Sequence, residues 1–179
     1  MTEIQGKEAR ENAFVRAIIK RCKNDNGFAA RTRRADNPAT EYQSWETLAS
    51  FGVDLESEYI RLPFVITAAA IAKAKAENNG QLKLGEAIAA CYSDGNQSEQ
   101  AKARLRRLLA CESVIELAKI LRPLFSLINS RVDQGLDYID LLKQLRSFTY
   151  ENQTSIVKAR WAQQFYSSYV TEQDSVVTK

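Results

Sequence analysis

The run Ser113-Val114-Ile115-Glu116-Leu117-Ala118-Lys119-Ile120-Leu121-Arg122-Pro123-Leu124-Phe125-Ser126-Leu127-Ile128 decides the fold class. Ser113 followed three residues on by Glu116 has the form of a capping box, in which the hydroxyl accepts from one orphan backbone N–H and the carboxylate reaches back to another. Behind it Val114, Leu117, Ala118, Leu121, Leu124, Phe125 and Ile128 recur at three- and four-residue steps, which on an α-helix form one buried stripe. Lys119 and Arg122 fall off that stripe. Pro123 removes one backbone donor and predicts a kink.

The same spacing continues on both sides. On a helical wheel of Ser98 to Ala110, Ala101, Leu105, Leu108 and Leu109 share one arc, and Lys102, Arg104, Arg106 and Arg107 take the remainder. Beyond Gly135, a helix turns Tyr138, Leu141, Leu142, Leu145 and Phe148 inward, with Lys143 and Arg146 on its other side. A last helix, about Asn152 to Val170, buries Val157, Trp161, Phe165 and Tyr169 and exposes Lys158 and Arg160. Upstream, Leu84, Ile88 and Cys91 mark a short amphipathic helix. Phe64 to Ala76 is a helix rich in small residues, with Pro63 in its first turn and Asn78-Asn79-Gly80 at its end.

Nearer the N-terminus, Thr40-Glu41-Tyr42-Gln43 reads as a second capping box, opening a helix with Tyr42, Trp45, Leu48, Ala49 and Phe51 on its buried side; such aromatics form either core or, as the alternative, a base-stacking platform. The first helix runs from about Glu8 to Lys23, burying Val15, Ile18, Ile19 and Cys22. Asn24-Asp25-Asn26-Gly27, residues that tolerate left-handed backbone, stop it, and a short helical piece through Arg31 to Arg34 follows. With seven Gly and three Pro in 179 residues, the chain is expected to be all-α, a compact helical bundle. A weak boundary near Ser93 to Gln97 would divide it into two small lobes, an N-terminal one at 1–95 and a C-terminal one at 96–171, with a tail at 172–179.

A net charge of +3 says little about partners, but its distribution says more. Arg16 to Arg34 holds seven basic residues against Asp25, whereas Asp36 to Glu58 holds six acids and neither Lys nor Arg. Lys20, Lys23, Arg31, Arg33 and Arg34 therefore nominate one phosphate-binding patch, and Lys102, Arg104, Arg106 and Arg107 a second. Arg122, Lys143 and Arg146 extend the candidate set. Arginine forks and lysine point charges on helices that pack inward would hold a nucleic-acid backbone without reading its sequence.

Catalysis is poorly supplied. The chain has no histidine, which removes His-based triads, histidine bases and His metal ligands together. No glycine-rich phosphate loop follows a strand, and the acidic run Asp54 to Glu58 lacks the glycine and distal glutamate of a calcium loop. Cys22, Cys91 and Cys111 stand far apart beside apolar residues and read as buried thiols, suited to a reducing cytoplasm. No cofactor, metal or membrane span is expected; the longest apolar stretch, Leu62 to Ala72, is too short to cross a bilayer. A stand-alone helix-turn-helix DNA-binding regulator, with Asn24 to Gly27 as the turn, remains the alternative on these residues alone.

Seven segments, taken together in order, resemble a known family: Lys23-Asn-Asp-Asn-Gly-Phe28, Arg33-Arg-Ala-Asp-Asn-Pro38, Arg61-Leu-Pro63, Leu84-Gly-Glu-Ala-Ile-Ala89, Ala103-Arg-Leu-Arg-Arg-Leu-Leu-Ala110, Leu121-Arg-Pro-Leu124 and Trp161-Ala-Gln-Gln-Phe-Tyr166. They are similar to the CasB family, the small subunit of the type I-E CRISPR Cascade complex, over about residues 12 to 167. The resemblance implies an all-helical, non-enzymatic subunit present in two copies, beside the large subunit, the backbone subunits and the guide RNA. It further implies that the subunit holds the displaced single-stranded DNA while base pairing reads the sequence. The basic positions inside matching segments are Lys23, Arg33, Arg34, Arg104, Arg106, Arg107 and Arg122.

Overall fold

The computed structural model describes the chain from Thr2 to Ser167, with side chains from Arg10 onward; Tyr169 and the tail expected at 172–179 lie outside the described residues. The all-α expectation holds. In order come α1 (Thr2–Asn24), α2 (Asn26–Arg34), a 3-10 turn (Glu41–Ser44), α3 (Trp45–Ser50), α4 (Glu58–Ala74), α5 (Leu84–Ala90), a second 3-10 turn (Gly95–Gln97), α6 (Glu99–Leu109), α7 (Val114–Arg131), α8 (Tyr138–Phe148) and α9 (Glu151–Ser167). Among the described residues, the one β feature is an isolated parallel bridge between Leu82 and Leu136.

The apolar stretch Leu62 to Ala72 becomes the centre of the molecule. Every residue from Leu62 to Ala72 is buried, as expected of a helix that is apolar all round, and α4 packs against α1, α2, α7 and α8. Phe64 meets Phe14 of α1 edge-to-face at 5.0 Å, and Phe14 meets Phe51 at 5.2 Å. No helix among the described residues is long and apolar enough to cross a membrane. Helix α4 starts five residues before Pro63, so that proline lies inside it rather than in its first turn. The helix ends at Ala74, ahead of the expected Asn78-Asn79-Gly80, because Lys75 adopts left-handed backbone (φ 51°) and Ala76 N–H returns to the Ile71 carbonyl at 3.2 Å.

A second packing centre joins α5 to α9, allowed by Gly85: a Cβ there would lie 2.3 Å from the Trp161 carbonyl oxygen. Trp161 stacks on Phe148 with ring centroids 5.7 Å apart and donates its indole N–H to buried Gln144. Asn96 donates to the carbonyls of Phe165 and Tyr166, satisfying acceptors near the end of α9. The stripes read from α6, α7 and α8 are buried, apart from half-buried Leu109. Ser113 accepts from Glu116 N–H at 3.2 Å, while Glu116 reaches back to Glu112 N–H at 2.7 Å, one residue beyond the box.

Around α3 the reading needs correction. Thr40 does not cap; its hydroxyl donates to the Arg34 carbonyl, and Glu41 to Ser44 wind as a 3-10 turn. That tighter winding moves the inward face by a residue or so, burying Glu41, Ser44, Thr47 and Leu48. Tyr42 is consequently 59% exposed and Trp45 37%, rather than core.

Candidate nucleic-acid interface

The basic turn is built by a cap. Asp25 takes extended backbone (φ −138°, ψ 102°) and its carboxylate accepts from Phe28 N–H at 2.9 Å, so α1 ends and α2 begins one residue apart. The hydrogen bond from Phe28 is the main reason the Asp25 carboxyl is held below its ordinary value. Left-handed backbone plays no part here; among the described residues, positive φ occurs only at Gly52, Lys75 and Gly95. Phe28, Ala29 and Thr32 pin α2 to the body, and Arg31 and Arg34 stay exposed with Arg33 half-buried beside them. Lys20 and Lys23 are exposed on the last turns of α1. Arg21 is fastened instead, its guanidinium 4.0 Å over the Phe28 ring and bonded to the Thr47 hydroxyl at 3.3 Å.

Beyond α2 the chain bends at Asp36 and forms a cleft of about 650 Å³, lined by Arg33, Arg34, Asp36, Asn37, Pro38, Thr40, Lys73 and Arg122. Asp36 is only 8% exposed and receives Arg122 Nε at 2.9 Å and the Lys73 ammonium. Four cations against one carboxylate leave three net positive charges around an open hollow. Because Asp36 fixes Arg122 and Lys73 at the wall, part of the side-chain entropy cost of binding an anion is already met in folding. The structure thus brings Arg122 beside Arg33 and Arg34, 89 and 88 residues away in sequence, and adds Lys73, which the sequence does not nominate. Its one available signal was its place at the end of an otherwise apolar helix.

The second patch lies elsewhere. Helix α6 packs mainly against α5, α7 and α9, and α7 also packs on α4. Arg106 and Arg107 are exposed, and Lys102 and Arg104 half-buried. Glu99 takes the Lys102 ammonium at 3.0 Å and lies 3.7 Å from Arg106. The bond from Lys102 is the first cause of its lowered carboxyl value.

The outward placement expected for Arg146 is corrected. Helix α1 covers that side of α8, and the Arg146 guanidinium lies over Phe64 with Glu11 as its ion-pair partner, 16% exposed. Burial, then the like charge of Arg10, pushes its value down. Lys143 is half-buried on the same helix. The three thiols are free, with Cys91 and Cys111 buried and Cys22 half-buried. Burial pushes all three up, Cys22 to about 11, which disfavours the reactive thiolate form. No group of His, Cys, Asp and Glu among the described residues could hold a metal ion.

Among its described residues the chain is a small all-helical protein that gathers four cations at one cleft. Comparison with known proteins makes the class specific. The family model for CRISPR-associated protein Cse2 matches residues 28–166, and the chain belongs to that family. The crystal structure of M. ruber CasB superposes with a TM-score of 0.68 at 26% identity, covering 94% of this chain and 98% of that one. CasB from Thermobifida fusca superposes at 0.63 with 18% identity, covering 88% and 96%, a likeness of fold alone. No curated protein sequence matches. The resemblance read from the seven segments is therefore right.

Proposed function

We propose that this chain is the non-catalytic small subunit of a Cascade surveillance complex, acting in the cytoplasm in antiviral defence and holding the displaced non-target DNA strand once guide RNA has paired with the target. The observation that carries the reading is the cleft around Asp36, where Arg33, Arg34, Lys73 and Arg122 converge from three helices. A backbone phosphate there would meet guanidinium forks and an ammonium without any base-edge reader, which suits a strand of arbitrary sequence. Lys20, Lys23 and Arg31, exposed on α1 and α2, would extend this phosphate-binding surface. Lys102, Arg104, Arg106 and Arg107 form a second phosphate-binding surface on α6. Arg146 is left out of this surface, since Glu11 holds it inward.

The large subunit, the backbone subunits and a second copy of this chain are the proposed protein partners, with the guide RNA close by. The experiment is strand binding within a reconstituted complex carrying a target duplex. Arg33→Ala with Arg34→Ala is expected to shorten the lifetime of the displaced-strand state while the complex still assembles. A lifetime equal to wild type would overturn the assignment of the cleft.

A further inference from the structure

A second, smaller pocket has a different chemistry. It measures about 190 Å³ and is lined by Arg10, Asp54, Tyr59, Ile60, Arg146 and Tyr150, among others. Arg10 and Arg146 both lie over the Phe64 ring, at 5.4 and 5.3 Å. Arg146 has Glu11. Arg10 Nε and Nη2 are buried and have no hydrogen-bond partner among the described residues, and Glu11 Oε2 is likewise unmatched. Leaving charged donors buried and unpaired costs more than a neutral bond returns, so a fold seldom keeps them without an anion to receive them. At the mouth stand Tyr59, Ile60 and Tyr150, three large side chains left exposed.

We propose that this pocket docks a protein partner, taking one aspartate or glutamate carboxylate of that partner onto Arg10, with Tyr59 and Ile60 receiving the apolar residues beside it. Three features favour a polypeptide over a nucleic-acid strand. The rim carries Asp54, with Glu56 and Glu58 exposed just along the chain, and this acidic run repels a polyanion but tolerates a single neutralised carboxylate. The volume falls below the roughly 300 Å³ at which small-molecule pockets begin, which suits a side-chain head group. Aromatic and aliphatic anchors around a desolvated arginine are the make-up of an interface hot spot.

The inference rests on the reading of this chain as a subunit, and the test is run in the reconstituted complex. Arg10→Gln is expected to lower competitive incorporation against wild type by about 30-fold, the effect of removing one member of a buried interfacial charge pair. Because Arg10 also packs on Phe64, Ile60→Glu serves as a second variant: exposed, and so compatible with folding, it offers Arg10 an internal carboxylate and blocks the partner's. It should keep the wild-type melting temperature and lose incorporation to a similar extent. A benzoylphenylalanine at position 60, irradiated in the complex, is expected to cross-link to a protein segment containing Asp or Glu. Cross-links to nucleic acid, or equal incorporation of wild type and Ile60→Glu, would overturn the proposal alone. A wild-type chain that never enters the complex would overturn the subunit reading and this one with it.

Discussion

Replacing Arg33 and Arg34 together with alanine removes two of the four cations that line the cleft around Asp36. Each phosphate neutralised on a single strand contributes about 0.7 to the slope of log affinity against log salt, so the pair accounts for about 1.4 of that slope. Between 50 and 200 mM salt this corresponds to about a sevenfold difference in how much affinity is lost. The contribution of α6 is common to both proteins and cancels from the comparison. Arg34 is exposed and Arg33 half-buried, and the contacts that hold α2 in place come from Phe28, Ala29 and Thr32, so the fold should survive. Fluorescence anisotropy of a labelled oligonucleotide across that salt range reads the two slopes directly. Parallel lines, with the variant merely weaker or unchanged, would refute the idea that these arginines meet phosphates.

Other consequences concern the scaffold. Gly85→Ala sets a methyl 2.3 Å from the Trp161 carbonyl and must part α5 from α9; after a helix-propensity gain of about 1 kcal/mol, a net loss of about 2 kcal/mol is expected from urea denaturation. Asp137 lies at the junction of two loops, where burial raises its value but bonds from Asn79 and Lys83 bring it below the ordinary one. A carboxyl lowered in the folded state stabilises fully above its unfolded value, near 3.9, and the gain disappears as pH falls through the folded value. Asp137→Asn should therefore cost about 1–2 kcal/mol at pH 7, with the difference from wild type closing in thermal melts below about pH 4. Cys22, raised to about 11, together with Cys91 and Cys111, should resist a thiol reagent at pH 7.5 in the folded protein and react on unfolding; rapid labelling of the native chain would contradict the burial.

Much of this architecture is legible in the sequence because it depends on local periodicity. The stripe from Val114 to Ile128, the Ser113 cap that opens it, and the apolar arc of Ala101, Leu105 and Leu108 are all set by residues three and four apart. Where a 3-10 turn intervenes the phase changes, and Tyr42 and Trp45 come out exposed. The end of α1 falls at the expected turn, but Asp25 stops it by accepting from Phe28 N–H, not by adopting left-handed backbone.

The candidate sites were less legible, since they depend on long-range contacts. Arg122 carries nothing in its own helix to say that Asp36, 86 residues earlier, receives its Nε. Lys73 looks like an ordinary helix-end lysine until the same carboxylate is seen to hold it. Arg146 shares its spacing with Lys143, and only the packing of α1 on α8 turns it toward Glu11. Arg10 drew no notice in the sequence, and its interest comes wholly from buried donors that meet no acceptor among the described residues.

The role proposed for the cleft around Asp36 is to hold the displaced strand. Incorporating photoreactive 5-iodouracil along that strand, irradiating the assembled complex on its target and mapping the adducts by mass spectrometry tests it directly. Adducts are expected on this chain within residues 31–40, or beside Lys73 and Arg122. Adducts confined to other subunits, with those segments of this chain unmodified, would contradict it.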